Sequence, residues 1–187
     1  MILHIKNMVC DRCIMVVKQQ LETLDFQVKD ISLGKAVIAP EPDESQLLQI
    51  SSSLSLVGFE LLDSEKQQIV EQIKNLIIAK VHHSDLSDGH TSFPLLLGSA
   101  LNKDYTYLSR LFSQYEGISI EKFIIQQKVE KVKELLEYGE LNLNEISYKL
   151  GYSSSAHLSG QFKTVTGLTP SSYKASDKEG RKPIDKL

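Results

Sequence analysis

Tryptophan is absent, and the only two cysteines lie together in Cys10-Asp11-Arg12-Cys13. A framework of several disulfides is therefore excluded. In a reducing compartment so close a pair reads as a metal or redox site rather than a staple. A thioredoxin-type role is disfavoured, since no Trp precedes the pair and no Pro lies inside it. Nowhere does an apolar run approach the ~18 residues needed to cross a bilayer. No basic-then-apolar leader precedes the first strand-like residues, so the expectation is a soluble, cytoplasmic protein. Catalytic equipment is missing too. There is no Gly-rich phosphate loop and no plausible Ser-His-Asp arrangement, and three of the five histidines lie in one polar stretch, so the chain is not read as an enzyme. Aromatics are sparse at 7%, yet apolar residues at 41% suffice for ordinary cores, and 187 residues suit one large or two small domains.

The net charge of −3 looks wrong for a nucleic-acid binder until it is divided along the chain. Residues 1–63 carry five Lys/Arg against nine Asp/Glu, whereas residues 146–187 carry seven against three. Basic charge is thus concentrated where phosphate contacts would be made. The support is modest, because residues 100–187 as a whole hold thirteen against eleven.

What the C-terminal half does have is a repeat. Leu108-Ser109-Arg110-Leu111-Phe112, then Gly117-Ile118-Ser119 and Phe123, recur fifty residues later as Leu158-Ser159-Gly160-Gln161-Phe162, Gly167-Leu168-Thr169 and Tyr173. Each copy puts Leu and Phe on one helix face at i, i+4, then a Gly stop, then a hydroxyl residue to cap the next helix. A supersecondary unit used twice suggests two equivalent contacts with a repeating target, of which double-stranded DNA is the obvious one.

The elements predicted around the repeat are a short helix over 93–101, a turn at Asn102, and a helix over 105–115 capped by Asp104. A long helix over 120–138 is capped by Ser119. A helix through Leu150 opens on the capping-box pattern Asn142 to Glu145. A turn at Gly151, a helix over 156–166 capped by Ser153 or Ser154, and a last short helix from Thr169-Pro170 complete the series. Each short helix, turn and longer helix makes a helix-turn-helix whose second member would enter a major groove. The joining helix would be about 29 Å long at about 1.5 Å per residue, near the ~34 Å turn of B-DNA.

The stretch Glu145-Ile146-Ser147, Leu150-Gly151-Tyr152-Ser153, Leu158-Ser159, Phe162-Lys163 and Thr166-Gly167-Leu168-Thr169-Pro170-Ser171 with Tyr173 resembles AraC/XylS-type transcriptional regulators over about residues 66–175. The resemblance implies a seven-helix double helix-turn-helix domain that binds a non-palindromic DNA site, and makes contact with RNA polymerase plausible. Candidate base-reading residues are Tyr105, Thr106, Ser109 and Arg110 in the first recognition helix. In the second they are Ser155, Ala156, His157, Ser159 and Gln161. Arg110 is the first choice, because a guanidinium grips guanine O6 and N7 bidentately. Lys163 and Lys174 suit phosphate. Tyr107 and His157 fit packing equally well, while Leu108, Phe112, Leu158 and Phe162 are core. Two departures stand out: Gly160 occupies the slot equivalent to Arg110, and Lys128 and Val132 stand where the family usually shows Arg and Ala.

The first 63 residues read as βαββαβ: strands near 1–8, 27–32, 35–39 and 59–62, with helices over 11–24 and from Asp43 to Leu54. That order is a ferredoxin-like unit. Met8-Val9-Cys10-Asp11-Arg12-Cys13, between first strand and first helix, resembles the Met-x-Cys-x-x-Cys loop of heavy-metal-associated domains. The resemblance implies a soft ion such as copper(I), held by Cys10 and Cys13. Two thiolates suit soft two-coordinate ligation, the helix start is expected to lower the Cys13 pKa, and Met8 points inward to pack. Zinc would need four ligands, and only His4 is near in sequence.

The whole is then α+β: a ferredoxin-like domain over 1–63, a connector over 64–90, a double helix-turn-helix domain over 91–175 and a polar, disordered tail over 176–187. The connector comprises a helix over 65–82, packed on the C-terminal domain, and a His/Asp-rich loop read as a solvated linker. The leading reading is a transcription regulator that senses or receives a thiophilic metal. Two others stay open: a metal carrier whose helical half docks a metal-handling partner, and a DNA regulator whose N-terminal domain only makes protein contacts.

Overall fold

The computed structural model describes residues 1–84, 86–87 and 92–175. Asp85, Asp88 and His90 of the polar loop, and the tail from 176 onward, lie outside the described residues. The chain divides into two compact units, Met1–Asn75 and Leu76–Leu187.

The first unit runs β1 (Ile2–Lys6), α1 (Asp11–Thr23), β2 (Gln27–Ser32), β3 (Lys35–Ala39), α2 (Glu44–Leu56) and β4 (Glu60–Leu61). Its sheet has the order β2-β3-β1-β4, with every neighbouring pair antiparallel. Strand alternation sends Leu3 and Ile5 of β1 and Ala36 and Ile38 of β3 into the core. There they meet Val17 and Leu21 of α1, Ile50 and Leu54 of α2, and Met8. Gly34 makes the β2–β3 turn at φ +80°, a conformation costly for any residue with a Cβ. A reciprocal capping box between Asp43 and Gln46 starts α2. The last strand is shorter than the sequence suggests: the Phe59 amide is spent on the Leu54 carbonyl at the end of α2, which leaves Glu60–Leu61 as the strand, with the Leu62 amide still donating to the His4 carbonyl at 2.8 Å.

A nineteen-residue helix follows, α3 (Glu65–His83). Packing of this helix on the C-terminal half alone is not what the structure shows, because the boundary between the units falls within it. Ile69, Val70 and Ile73 are buried in the first unit, where the Glu71 carboxylate accepts a 2.7 Å hydrogen bond from the Asn7 amide. Asn75 also belongs there: its side-chain nitrogen would lie 2.9 Å from a Cβ at Gly34. Hydrophobic spacing marked the helix but could not say which neighbour would cover each turn.

The second unit continues with α4 (Phe93–Leu101), α5 (Tyr105–Glu116), α6 (Ile120–Tyr138), α7 (Leu143–Lys149), α8 (Ser155–Thr166) and α9 (Pro170–Ala175). With α3 these are the seven helices expected over 66–175, counted among the described residues. The starts of α4 to α8 have a local cause: Ser92, Asp104, Ser119, Asn142 and Ser154 all accept backbone N–H bonds in the first turn. Gly117, Gly139 and Gly167 end α5, α6 and α8 in left-handed conformation, as Asn102 ends α4. Val129, Val132, Leu135 and Leu136 of α6 pack with Ile146, Leu150, Leu158, Phe162 and Tyr173.

Candidate nucleic-acid interface

The fifty-residue echo becomes a repeated geometry. Leu108 and Phe112 of α5, and Leu158 and Phe162 of α8, are all fully buried. Phe112 meets Phe123 with ring centroids 5.5 Å apart, and Phe162 meets Tyr173 at the same 5.5 Å. Gly117 donates to the Ser113 carbonyl at 3.1 Å, and Gly167 to the Lys163 carbonyl at 2.8 Å. Both recognition helices are thus anchored by the same inner contacts. Their outer faces carry the differences.

On α5, Thr106, Tyr107 and Arg110 are exposed while Tyr105 and Ser109 are half-buried. Tyr105 is not available as a free reader: its hydroxyl donates a 2.6 Å hydrogen bond to the Glu121 carboxylate and ties the start of α5 to the first turn of α6. Burial, and then that carboxylate, push the Tyr105 phenol far above its ordinary pKa, and the same bond holds Glu121 low. Asp104 accepts from the Thr106 amide at 2.8 Å and the Tyr107 amide at 3.3 Å. Hydrogen bonds from the Thr106 side chain and these amides hold its carboxyl below the usual range. Lys103 lies 5.8 Å from the centre of the Tyr107 ring.

On α8, Ala156, His157, Gly160 and Lys163 are exposed, and Ser155, Ser159 and Gln161 are half-buried. The Ser159 hydroxyl is spent on the Ser155 carbonyl at 2.8 Å. His157 takes the packing role, one of the two expected of it. Its ring packs edge-on against Tyr152 at 5.4 Å and its Nδ1 lies 3.0 Å from the Ser153 hydroxyl, yet the side chain stays exposed. Lys128 of α6 sits over the other partner, with Nζ 5.0 Å from the Tyr152 ring centre. Burial lowers the Lys128 pKa and pushes the Tyr152 phenol up to about 12. Lys128 thus stacks on an aromatic face, and Val132, one turn further along α6, is fully buried. The slot occupied by Gly160 is empty space: a Cβ there would meet nothing within 4 Å.

Three supports escaped sequence reasoning. The Tyr105–Glu121 brace joins residues sixteen apart with no periodic signal. His82 at the end of α3 bonds Gln127 in the middle of α6 at 2.9 Å, and burial lowers its pKa. Leu86, buried, donates its amide to the Lys149 carbonyl at 3.2 Å and covers the turn at Gly151, where a Cβ would come 2.8 Å from the Leu86 carbonyl oxygen.

The thiol loop belongs to the first unit. Cys10 occupies the N-cap position of α1, and its Sγ lies 3.4 Å from that of Cys13. Met8 is fully buried as expected, but not from a strand: β1 ends at Lys6 and Asn7 turns the chain at φ +71°. The expected lowering of the Cys13 pKa is corrected: burial against the core and the neighbouring Cys10 thiol outweigh the amides at the helix start and push the thiol up. Among the described residues no group of three His, Cys, Asp or Glu side chains gathers to hold a metal. Two thiols fit a soft ion of low coordination and do not fit a four-ligand zinc site.

With that geometry in place, likeness to known proteins becomes informative. The family described as "Helix-turn-helix domain" matches residues 97–176. The chain is 27% identical over 129 residues to the Msm operon regulatory protein of Streptococcus mutans, covering 68% of this chain and 44% of that protein. It therefore spans less than half the length of that curated relative. The C-terminal domain of AraT, a response regulator from Geobacillus stearothermophilus, superposes with a TM-score of 0.52 at 27% identity, covering 64% of this chain and 97% of the domain. An AraC-type DNA-binding-domain-containing regulator from Chromobacterium violaceum shares the fold, with a TM-score of 0.50 at 21% identity and coverage of 61% and 96%. No helix among the described residues is long and apolar enough to cross a membrane. Residues 97–176 of this chain accordingly match a helix-turn-helix domain, and the helices around them share the fold of regulator C-terminal domains.

Proposed function

We propose that the protein is a sequence-specific, double-stranded-DNA-binding transcription regulator of the AraC type and not an enzyme. The observation that carries this reading is the pair of equivalently anchored helices, α5 and α8, whose outer faces are exposed and polar. Base-edge contacts come from Thr106 and Arg110 on one helix and Ala156, His157 and Gln161 on the other. Ser109, Ser155 and Ser159 stand beside them, and Lys163 contacts phosphate. Tyr105 positions α5 through Glu121. The test is electrophoretic mobility shift with genomic fragments at about 150 mM salt, where non-specific binding is weak. A discrete shift that Arg110→Ala weakens by about 1–3 kcal/mol supports it. No specific shift would favour the metal-carrier reading instead.

The N-terminal unit is read as a ferredoxin-like domain whose Cys10 and Cys13 bind a soft ion such as copper(I), supported by the 3.4 Å approach of the two sulfurs. Native mass spectrometry under reducing conditions checks this. Wild type should retain more metal than the Cys10→Ser/Cys13→Ser variant, and equal content would leave the domain as a protein-contact module.

A further inference from the structure

A depression of about 590 Å³ beside β1 and α2 is lined by mixed apolar and polar side chains, with nothing to fix its occupant. A second hollow lies on α8, part of the face assigned above to DNA. It encloses about 330 Å³ between Ala156, His157, Gly160, Gln161, Thr164 and Val165 of α8 and Ile125 of α6. Its floor is the bare backbone at Gly160, where a Cβ would find open space. Its apolar lining is Ala156, Val165 and Ile125, and its polar lining includes Thr164, whose hydroxyl donates to the Gly160 carbonyl at 2.9 Å. A glycine on an outward helix face lets backbone approach a ligand closely. The matching position of α5, fifty residues earlier, carries the exposed Arg110.

We propose that the two recognition helices read by different chemistry: α5 grips guanine through Arg110, whereas α8 seats thymine, its C5-methyl entering the hollow between Ala156 and Gly160. This rests on the DNA-binding reading and refines it. Four facts converge. Thymine alone among the bases offers a methyl on its major-groove edge, and alanine is one of its usual contacts. The Gly160 slot leaves α8 without a side chain at the position from which Arg110 projects on α5. Ser159, the polar neighbour of Gly160, is bonded to its own helix and half-buried. Gln161 and His157 flank the hollow and are placed to bond the paired adenine, a usual partner of Gln. The target site is therefore asymmetric in chemistry as well as sequence, with a guanine-containing half and a thymine-containing half.

The experiment begins with selection of a random duplex library by the full-length chain at about 150 mM salt. The selected duplex is then resynthesised with deoxyuridine replacing each thymine in turn, which deletes one methyl and nothing else. Removing a seated methyl should weaken binding about fourfold at one or two positions, all within the half that hydroxyl-radical footprinting of Arg110→Ala leaves protected. Gly160→Arg, which fills the hollow, should abolish that uracil sensitivity. Ala156→Gly should reduce it, and circular dichroism checks that each variant stays folded. A motif whose affinity is indifferent to uracil everywhere would overturn the thymine assignment and leave the DNA-binding reading intact. So would uracil sensitivity that survives Gly160→Arg. Failure of the library to enrich any motif would overturn both.

Discussion

At the scale of single residues, Gly160 and His82 carry the sharpest consequences. Glycine inside a helix costs about 0.5–1 kcal/mol relative to alanine, and nothing lies within 4 Å of the Cβ that would be added at Gly160. Gly160→Ala should therefore raise stability by about 0.5–1 kcal/mol, seen as a higher thermal midpoint by circular dichroism. A lower midpoint would mean that the position is not free. His82 titrates in the opposite sense to a salt-bridged histidine. Burial lowers its folded pKa, so the native state prefers the neutral ring. Its contribution is complete above the ordinary histidine pKa of about 6.5 and is lost as pH falls below it. Denaturation in urea between pH 7.5 and 5 should show stability falling with acid, and His82→Gln should flatten that slope. His4, also lowered by burial, titrates in the same window, so the difference between wild type and variant is the informative quantity.

At the scale of elements, the caps make direct predictions. Ser154 holds the start of α8 through the His157 amide at 3.1 Å. Ser154→Ala should cost about 1 kcal/mol and weaken DNA binding through the second helix more than through the first. Asp104 does the same for α5, and its pKa is depressed by the bonds it accepts. Its help is present above the ordinary carboxylate pKa and lost as pH falls through the depressed folded value, so Asp104→Asn should lose part of the acid sensitivity of α5. Helix starts were legible because a cap is a local event: Asp104, Ser119 and Asn142 lie next to the turns they satisfy. The β2 and β3 bounds were legible for a similar reason, being fenced by Gly34 and Pro40. The Tyr105–Glu121 brace was not, because its partners sit on different helices and meet only after packing.

At the scale of the whole molecule, the charge that looked wrong in total is spread unevenly along the chain. Binding should weaken steeply with salt, since each neutralised phosphate contributes a slope of about −0.9 in log–log form. Lys163→Ala should reduce that slope by about 1 and weaken all sequences alike. Arg110→Ala should instead relax preference at one base pair. Fluorescence anisotropy titrations from 50 to 300 mM salt on selected and scrambled duplexes separate the two. If Lys163→Ala changed sequence preference and left the slope alone, the division into phosphate and base contacts would be wrong. The core offers a complementary check: Phe162 is fully buried where α8, α9 and α6 meet. Phe162→Ala should cost about 3–5 kcal/mol and abolish binding with it.

The amino-acid order alone determined the two kinds of architecture, the duplicated bihelical pattern and nearly every helix start. Those features depend on backbone preference, capping and the spacing of apolar side chains, all of which act within a few residues. Tertiary structure decided what each surface residue is free to do. It tied Tyr105 to Glu121, placed Lys128 over Tyr152 and shared the turns of α3 between two units. It also laid Leu86 over the turn at Gly151, raised the Cys13 thiol and left a hollow at Gly160. The physical reason is the same in each case: proximity and loss of solvent come from distant parts of the chain, and no local pattern encodes them.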